Sequence, residues 1–95
     1  MKHFAVFLPM LDAAKSQQYR AEHLEYLAKR RSEGKIFANG RFVDGAGGLV
    51  IYMADSQDEV QDIVNQDPYV IQQARGYEIH EWDIVTEAVL PDKSK

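Results

Sequence analysis

The 95-residue chain contains no cysteine. Disulfide frameworks, zinc–thiolate centres and nucleophilic thiols are therefore excluded. It also lacks an excess of positive charge: 11 lysines and arginines stand against 15 aspartates and glutamates, a formal net charge of −4. A general nucleic-acid binder needs a basic face to meet the phosphate backbone, so no nucleic-acid partner is expected. No apolar run approaches the roughly 20 residues of a membrane helix. The run from Phe4 to Met10 leads into a polar helical pattern rather than a small-residue cleavage site. No membrane partner is expected, and the expected location is cytoplasmic. Neither an internal repeat nor a low-complexity segment is present. Gly45, Gly47 and Gly48 do not form a phosphate loop, because a strand rather than a helix N-terminus follows them. No other cofactor motif appears, and no cofactor is expected.

What is present is an ordinary globular composition, 45% hydrophobic, which excludes a disordered chain. The length fits a single domain over residues 1–95, with a loose tail from about residue 88. Phe4 to Leu8 is apolar on both alternating faces, the mark of a strand covered on both sides, and Pro9 should end it. Ser16 to Glu33 reads as one long helix, with Ser16 as its N-cap and Gly34 as the left-handed residue after its end. Lys35 to Val43 and Leu49 to Met53 flank a glycine-rich turn and read as a hairpin. Ser56 and Glu59 have capping-box spacing and should open a second helix. Pro68 disfavours helical geometry at Asp67, so this helix should break there and a short one begin, with Asp67 as N-cap. A last strand is predicted from Tyr77 to Thr86.

The order β-α-β-β-α-β is the ferredoxin-like arrangement: α+β, a four-stranded antiparallel sheet with the helices on one face. Two helices cover only one face, yet the first and third strands are apolar on both. A second copy of the chain is the natural cover for the other face, so a homodimer is expected.

Three segments stand out in combination. Arg20-Ala21-Glu22-His23-Leu24-Glu25-Tyr26-Leu27 lies on the first helix, Gly34-Lys35-Ile36-Phe37-Ala38-Asn39-Gly40 enters the second strand, and Asp67-Pro68-Tyr69 follows the second helix. With Glu81-Trp82 in the last strand, this pattern resembles the YCII-related family from Phe4 to about Val85. The resemblance implies a ferredoxin-like domain that pairs sheet to sheet as a dimeric α+β barrel. It also implies an active site built on His23 and Asp67, and lyase-like chemistry without a cofactor. One position departs from the family's pattern: Gly40-Arg41 stands where Gly-Pro is common, which places Arg41 as a cation at the pocket rim.

The residues themselves carry two readings each. His23 lies at the edge of the apolar stripe, where an imidazole held by a carboxylate serves as a general base or acid, or simply packs and makes one hydrogen bond. Asp67 before Pro68 is fully explained as a helix cap. It could also meet His23, one oxygen taking the helix amide and the other the imidazole. Arg20, one turn before His23, can bind a substrate carboxylate or form a solvated ion pair with Glu22 or Asp12. Tyr26 and Tyr69 can line a small aromatic pocket or belong to the core. No metal site is expected, since in the last strand His80 and Trp82 share one face while Glu81 and Asp83 point the other way.

Two functional classes follow. The first is a cofactor-independent enzyme using His23 and Asp67 for proton transfer, of lyase, isomerase or hydrolase type, on a small polar or aromatic-derived molecule. The second is a non-catalytic small-molecule-binding or dimeric interaction module. An open pocket beside a hydrogen-bonded pair favours the first; a sealed pair favours the second.

Overall fold

The computed structural model describes residues 1–87, and the expected loose tail lies outside the described residues. The local signals become eight elements: β1 (Lys2–Pro9), α1 (Ala13–Gln18), α2 (Arg20–Ser32), β2 (Ile36–Arg41), β3 (Gly47–Ala54), α3 (Gln57–Asn65), α4 (Pro68–Ile71) and β4 (Glu78–Glu81). The four strands form one sheet in the order β2-β3-β1-β4, each antiparallel to its neighbours. This is the ferredoxin-like α+β arrangement.

The period-two pattern of the strands sorts their side chains cleanly. Phe4, Val6 and Leu8 of β1 and Val50, Tyr52 and Ala54 of β3 face the helices. There they pack with Ile36, Leu27 and the α3 residues Val60, Ile63 and Val64 as the core. On the opposite face the cross-strand pairs are His3 with Met53, Ala5 with Ile51 and Phe7 with Leu49. Phe37 and Phe42 add edge-to-face contacts to His3 and Phe7 there, with ring centres 5.7 and 5.9 Å apart. That face is mostly apolar and, among the described residues, carries no helix.

The caps operate largely as the sequence predicts. Ser56 accepts from the Glu59 backbone N–H, and the Glu59 carboxylate reaches back to the N–H of Asp55. Gly34 takes φ +77, the left-handed conformation that ends α2 without a Cβ clash. The predicted long first helix is corrected. It starts earlier, at Ala13, because Asp12 is the cap and accepts from the Lys15 N–H. It also kinks at Tyr19, whose φ of −101° and ψ of 12° separate α1 from α2. Ser16, expected as the cap, is buried instead with its hydroxyl taken by Arg75. The last strand is shorter than predicted: β4 pairs with β1 only from Phe4 to Phe7.

The β2–β3 turn requires glycine at Gly47. Its φ is +141°, and an added Cβ would lie 2.2 Å from the Leu8 carbonyl oxygen. This close approach brings the start of β3 against the end of β1, at the end of the sheet where a cleft opens.

Candidate active site

A cleft of about 490 Å³ lies on the helix side of the sheet, between α1, α2 and the β2–β3 end. That volume suits a small organic ligand. Its apolar wall includes Leu8, Met10, Leu24, Leu27 and Val50. Its polar lining includes His23, Arg20, Arg41, Tyr69, Asn39 and Arg75.

His23 stands near the start of α2, and its Nδ1 lies 2.7 Å from Oδ1 of Asp67. Both residues are buried, at 6% and 1% exposure. A carboxylate only accepts, so the hydrogen-bonded proton sits on Nδ1 and the lone pair on Nε2. Asp67 is held in turn because it caps α4, accepting from the Tyr69 backbone N–H at 2.9 Å. The two bonds do not divide between the carboxylate oxygens as expected; Oδ1 takes both. The Tyr69 ring then stacks on the imidazole at 3.8 Å between centres and 13° between planes. Cap, carboxylate, imidazole and phenol thus form one rigid unit, with His23 and Tyr69 bordering the cleft and Asp67 behind them.

Arg20 and Arg41 border the cleft on exposed positions. Arg41 pairs with Gly48 across β2 and β3, which turns its side chain toward the helices. Tyr26 is not brought to the cleft. Its hydroxyl donates to the Ile63 carbonyl of α3 at 2.7 Å, and the Arg30 guanidinium lies over its ring. Tyr26 therefore belongs to the packing between α2 and α3 rather than to the pocket lining. Burial raises its phenol above the ordinary tyrosine value, with the hydrogen bond and charge of Arg30 pulling the other way. His80, on exposed β4, lies 3.8 Å from Glu78. Among the described residues no group of three or more histidines and carboxylates could hold a metal ion.

Arg75 is the cleft residue that sequence reasoning missed. It is 8% exposed, donates to Ser16 Oγ at 2.9 Å and to the Leu8 carbonyl at 3.4 Å, and lies over the Tyr69 ring at 4.6 Å. Burial lowers its guanidinium below the ordinary arginine value; the charges of Tyr69 and Asp67 oppose that shift and Arg20 adds to it. A single arginine in a turn between Ala74 and Gly76 has no local signature that would mark it. It is aimed inward by the left-handed Gln73, φ +58°, after which the Ala74 and Arg75 N–H groups both return to the Tyr69 carbonyl.

The fold and site thus define a small ferredoxin-like α+β domain with a histidine–aspartate pair beside a cleft. The chain belongs to the YCII-related domain family, which matches residues 2–83. It is 32% identical over 69 residues to the uncharacterized protein YjpA of Bacillus subtilis (strain 168), a match spanning 73% of this chain and 81% of that protein. Among solved structures it is similar to the 5-chloro-2-hydroxyhydroquinone dehydrochlorinase TftG of Burkholderia phenoliruptrix AC1100, in complex with 2,5-dihydroxybenzoquinone. The TM-score is 0.74 at 22% identity, covering 85% of this chain and 93% of that one, a likeness of fold. Among the described residues no helix is long and apolar enough to cross a membrane.

Proposed function

We infer that the protein is an enzyme that processes a small molecule by proton transfer at His23, with Asp67 orienting the imidazole and no cofactor taking part. The observation that carries this reading is the 2.7 Å bond from Nδ1 of His23 to Asp67 at the wall of an open cleft. It leaves Nε2 as the basic atom. In the reaction, Nε2 takes a proton from a substrate carbon or oxygen, and Asp67 stabilises the imidazolium that forms. The same proton is then returned to the leaving group, to another substrate atom or to solvent. Elimination, isomerisation and hydrolysis all use this cycle, and the fold shared with a dehydrochlorinase makes elimination the first reaction to test. Tyr69 holds the imidazole flat, while Arg20 and Arg41 stand at the mouth as substrate contacts.

The working form in this reading is a homodimer in the cytoplasm. A second copy would cover the helix-free sheet face in a dimeric α+β barrel, removing Phe7, Leu49 and Met53 from water. The single domain would be the catalytic unit of each protomer.

The test is a panel of halogenated hydroxyphenols, followed by halide release and ring absorbance, with wild type and His23→Gln. Glutamine keeps one hydrogen-bond donor but cannot cycle a proton, so turnover should fall by about 10²–10⁴-fold while the cleft still binds ligand. Binding without turnover across the panel would favour the module reading instead, to which the deep burial of the pair also lends itself.

A further inference from the structure

We propose that the cleft selects small planar anions and that Arg75, deep in the cleft, anchors their carboxylate or phenolate oxygen. This rests on reading the cleft as a substrate site and adds the class of substrate it takes.

The charge of the lining is the first observation. Three of the five arginines of the chain border this cleft, and among the described residues no carboxylate does, although the chain as a whole carries a net charge of −4. Among the described residues none of the three forms an ion pair within 4 Å. Arg20 and Arg41 are exposed, whereas Arg75 is more than nine-tenths buried.

The second observation is the unfinished hydrogen bonding of Arg75. A guanidinium has five N–H donors. The structure gives two of them acceptors, Ser16 Oγ and a long contact to the Leu8 carbonyl, and both acceptors are neutral. Among the described residues Nε has no partner. A buried cation without a close counter-ion is unfavourable, and an anionic ligand would supply the missing charge together with a bidentate acceptor.

The third is the room made for it. Gly48 faces the helix side of β3, paired with Leu8 on one side and Arg41 on the other. A Cβ at Gly48 would lie 3.5 Å from Nη1 of Arg75, in contact with the guanidinium. The absent side chain leaves room beside Nη1 where the cleft passes over the sheet. Tyr69 links this end to the base, because His23 stacks on its ring and Arg75 lies over it. A small ligand whose acidic oxygen meets Arg75 would lie in the same cleft that His23 and Tyr69 line.

The experiment is titration calorimetry near neutral pH with an isosteric pair, para-hydroxybenzoate and para-hydroxybenzamide, on wild type, His23→Gln, Arg75→Gln and the double variant Arg20→Gln/Arg41→Gln. Wild type should bind the acid about tenfold or more tightly than the amide, as a charged hydrogen bond implies. His23→Gln should keep that preference, since the anchor is separate from the base. Arg75→Gln should abolish it, and the double mouth variant should keep most of it. Equal affinity for acid and amide in wild type would overturn the proposal, even if Arg75→Gln fails to fold. A preference lost in the double variant and kept in Arg75→Gln would also overturn it. Failure of the catalytic reading looks different: the acid is preferred, but no turnover depends on His23.

Discussion

His23 and Asp67 meet at one carboxylate oxygen that is already in use. Oδ1 of Asp67 receives the Tyr69 backbone N–H at 2.9 Å and the His23 imidazole at 2.7 Å. The aspartate is therefore fixed by the helix it caps before it fixes the histidine, and the imidazole inherits the precision of a backbone hydrogen bond. A side chain held only by another side chain would have more freedom to wander.

Substitutions at Asp67 should separate charge from hydrogen bonding. Asparagine still presents an acceptor to both donors and caps nearly as well as aspartate. Alanine leaves the Tyr69 N–H and the His23 Nδ1 unpaired in a buried place, at a cost of about 2–4 kcal/mol from the lost cap and the stranded donors. Urea denaturation should place Asp67→Ala well below Asp67→Asn. Equal losses would show that the cap contributes nothing.

Gly47 should be far less replaceable than Gly45, although both have positive φ. Gly45 faces open space, so Gly45→Ala meets only the backbone strain of about 1–2 kcal/mol. Gly47→Ala adds a collision with the Leu8 carbonyl, a backbone atom that cannot swing aside. Its extra cost should be about 1–3 kcal/mol, with the cleft end of β1 and β3 disturbed. Denaturation midpoints of the two variants check this, and similar values would refute it.

Alkaline pH should weaken the protein through Tyr52. Burial strongly raises this phenol, and the negative charge of Asp67 adds to the effect. Below pH 10 the phenol is neutral in both folded and unfolded chains. Above it the unfolded chain releases the proton while the folded one keeps it, so stability falls as pH rises. Tyr52→Phe removes this proton, and its stability should fall less steeply between pH 9 and 11 in urea titrations. Identical slopes would mean that Tyr52 is not the group responsible.

The helix-free face should be covered in solution. Light scattering at micromolar concentration should return twice the mass of the chain. Phe7→Glu, which places a charge among Leu49, Phe42 and Ile51, should return the monomer with its helical content intact. A wild-type monomer would leave the apolar face without its proposed partner.

Much of this protein is written locally. The alternating apolar runs of β1 and β3, the Ser56–Glu59 cap, Gly34 and the Asp67-Pro68 helix start are each decided within about five residues, and they suffice for the element order and the ferredoxin-like fold. His23 and Asp67 were legible as candidates, because a resemblance of short motifs singled them out. What only the tertiary structure decided are meetings across the chain. Asp67 reaches His23 over 44 positions, and Arg75 reaches Ser16 over 59. The second contact turns an apparent helix cap into an acceptor for a buried cation. Tyr26 and His23 are three residues apart on one helix, yet the first packs on α3 and the second borders the cleft. Helical periodicity places them on one flank of α2, but does not say which neighbour each will find there. Periodicity and capping are short-range physics, whereas a buried charge takes its meaning from groups that only packing brings near.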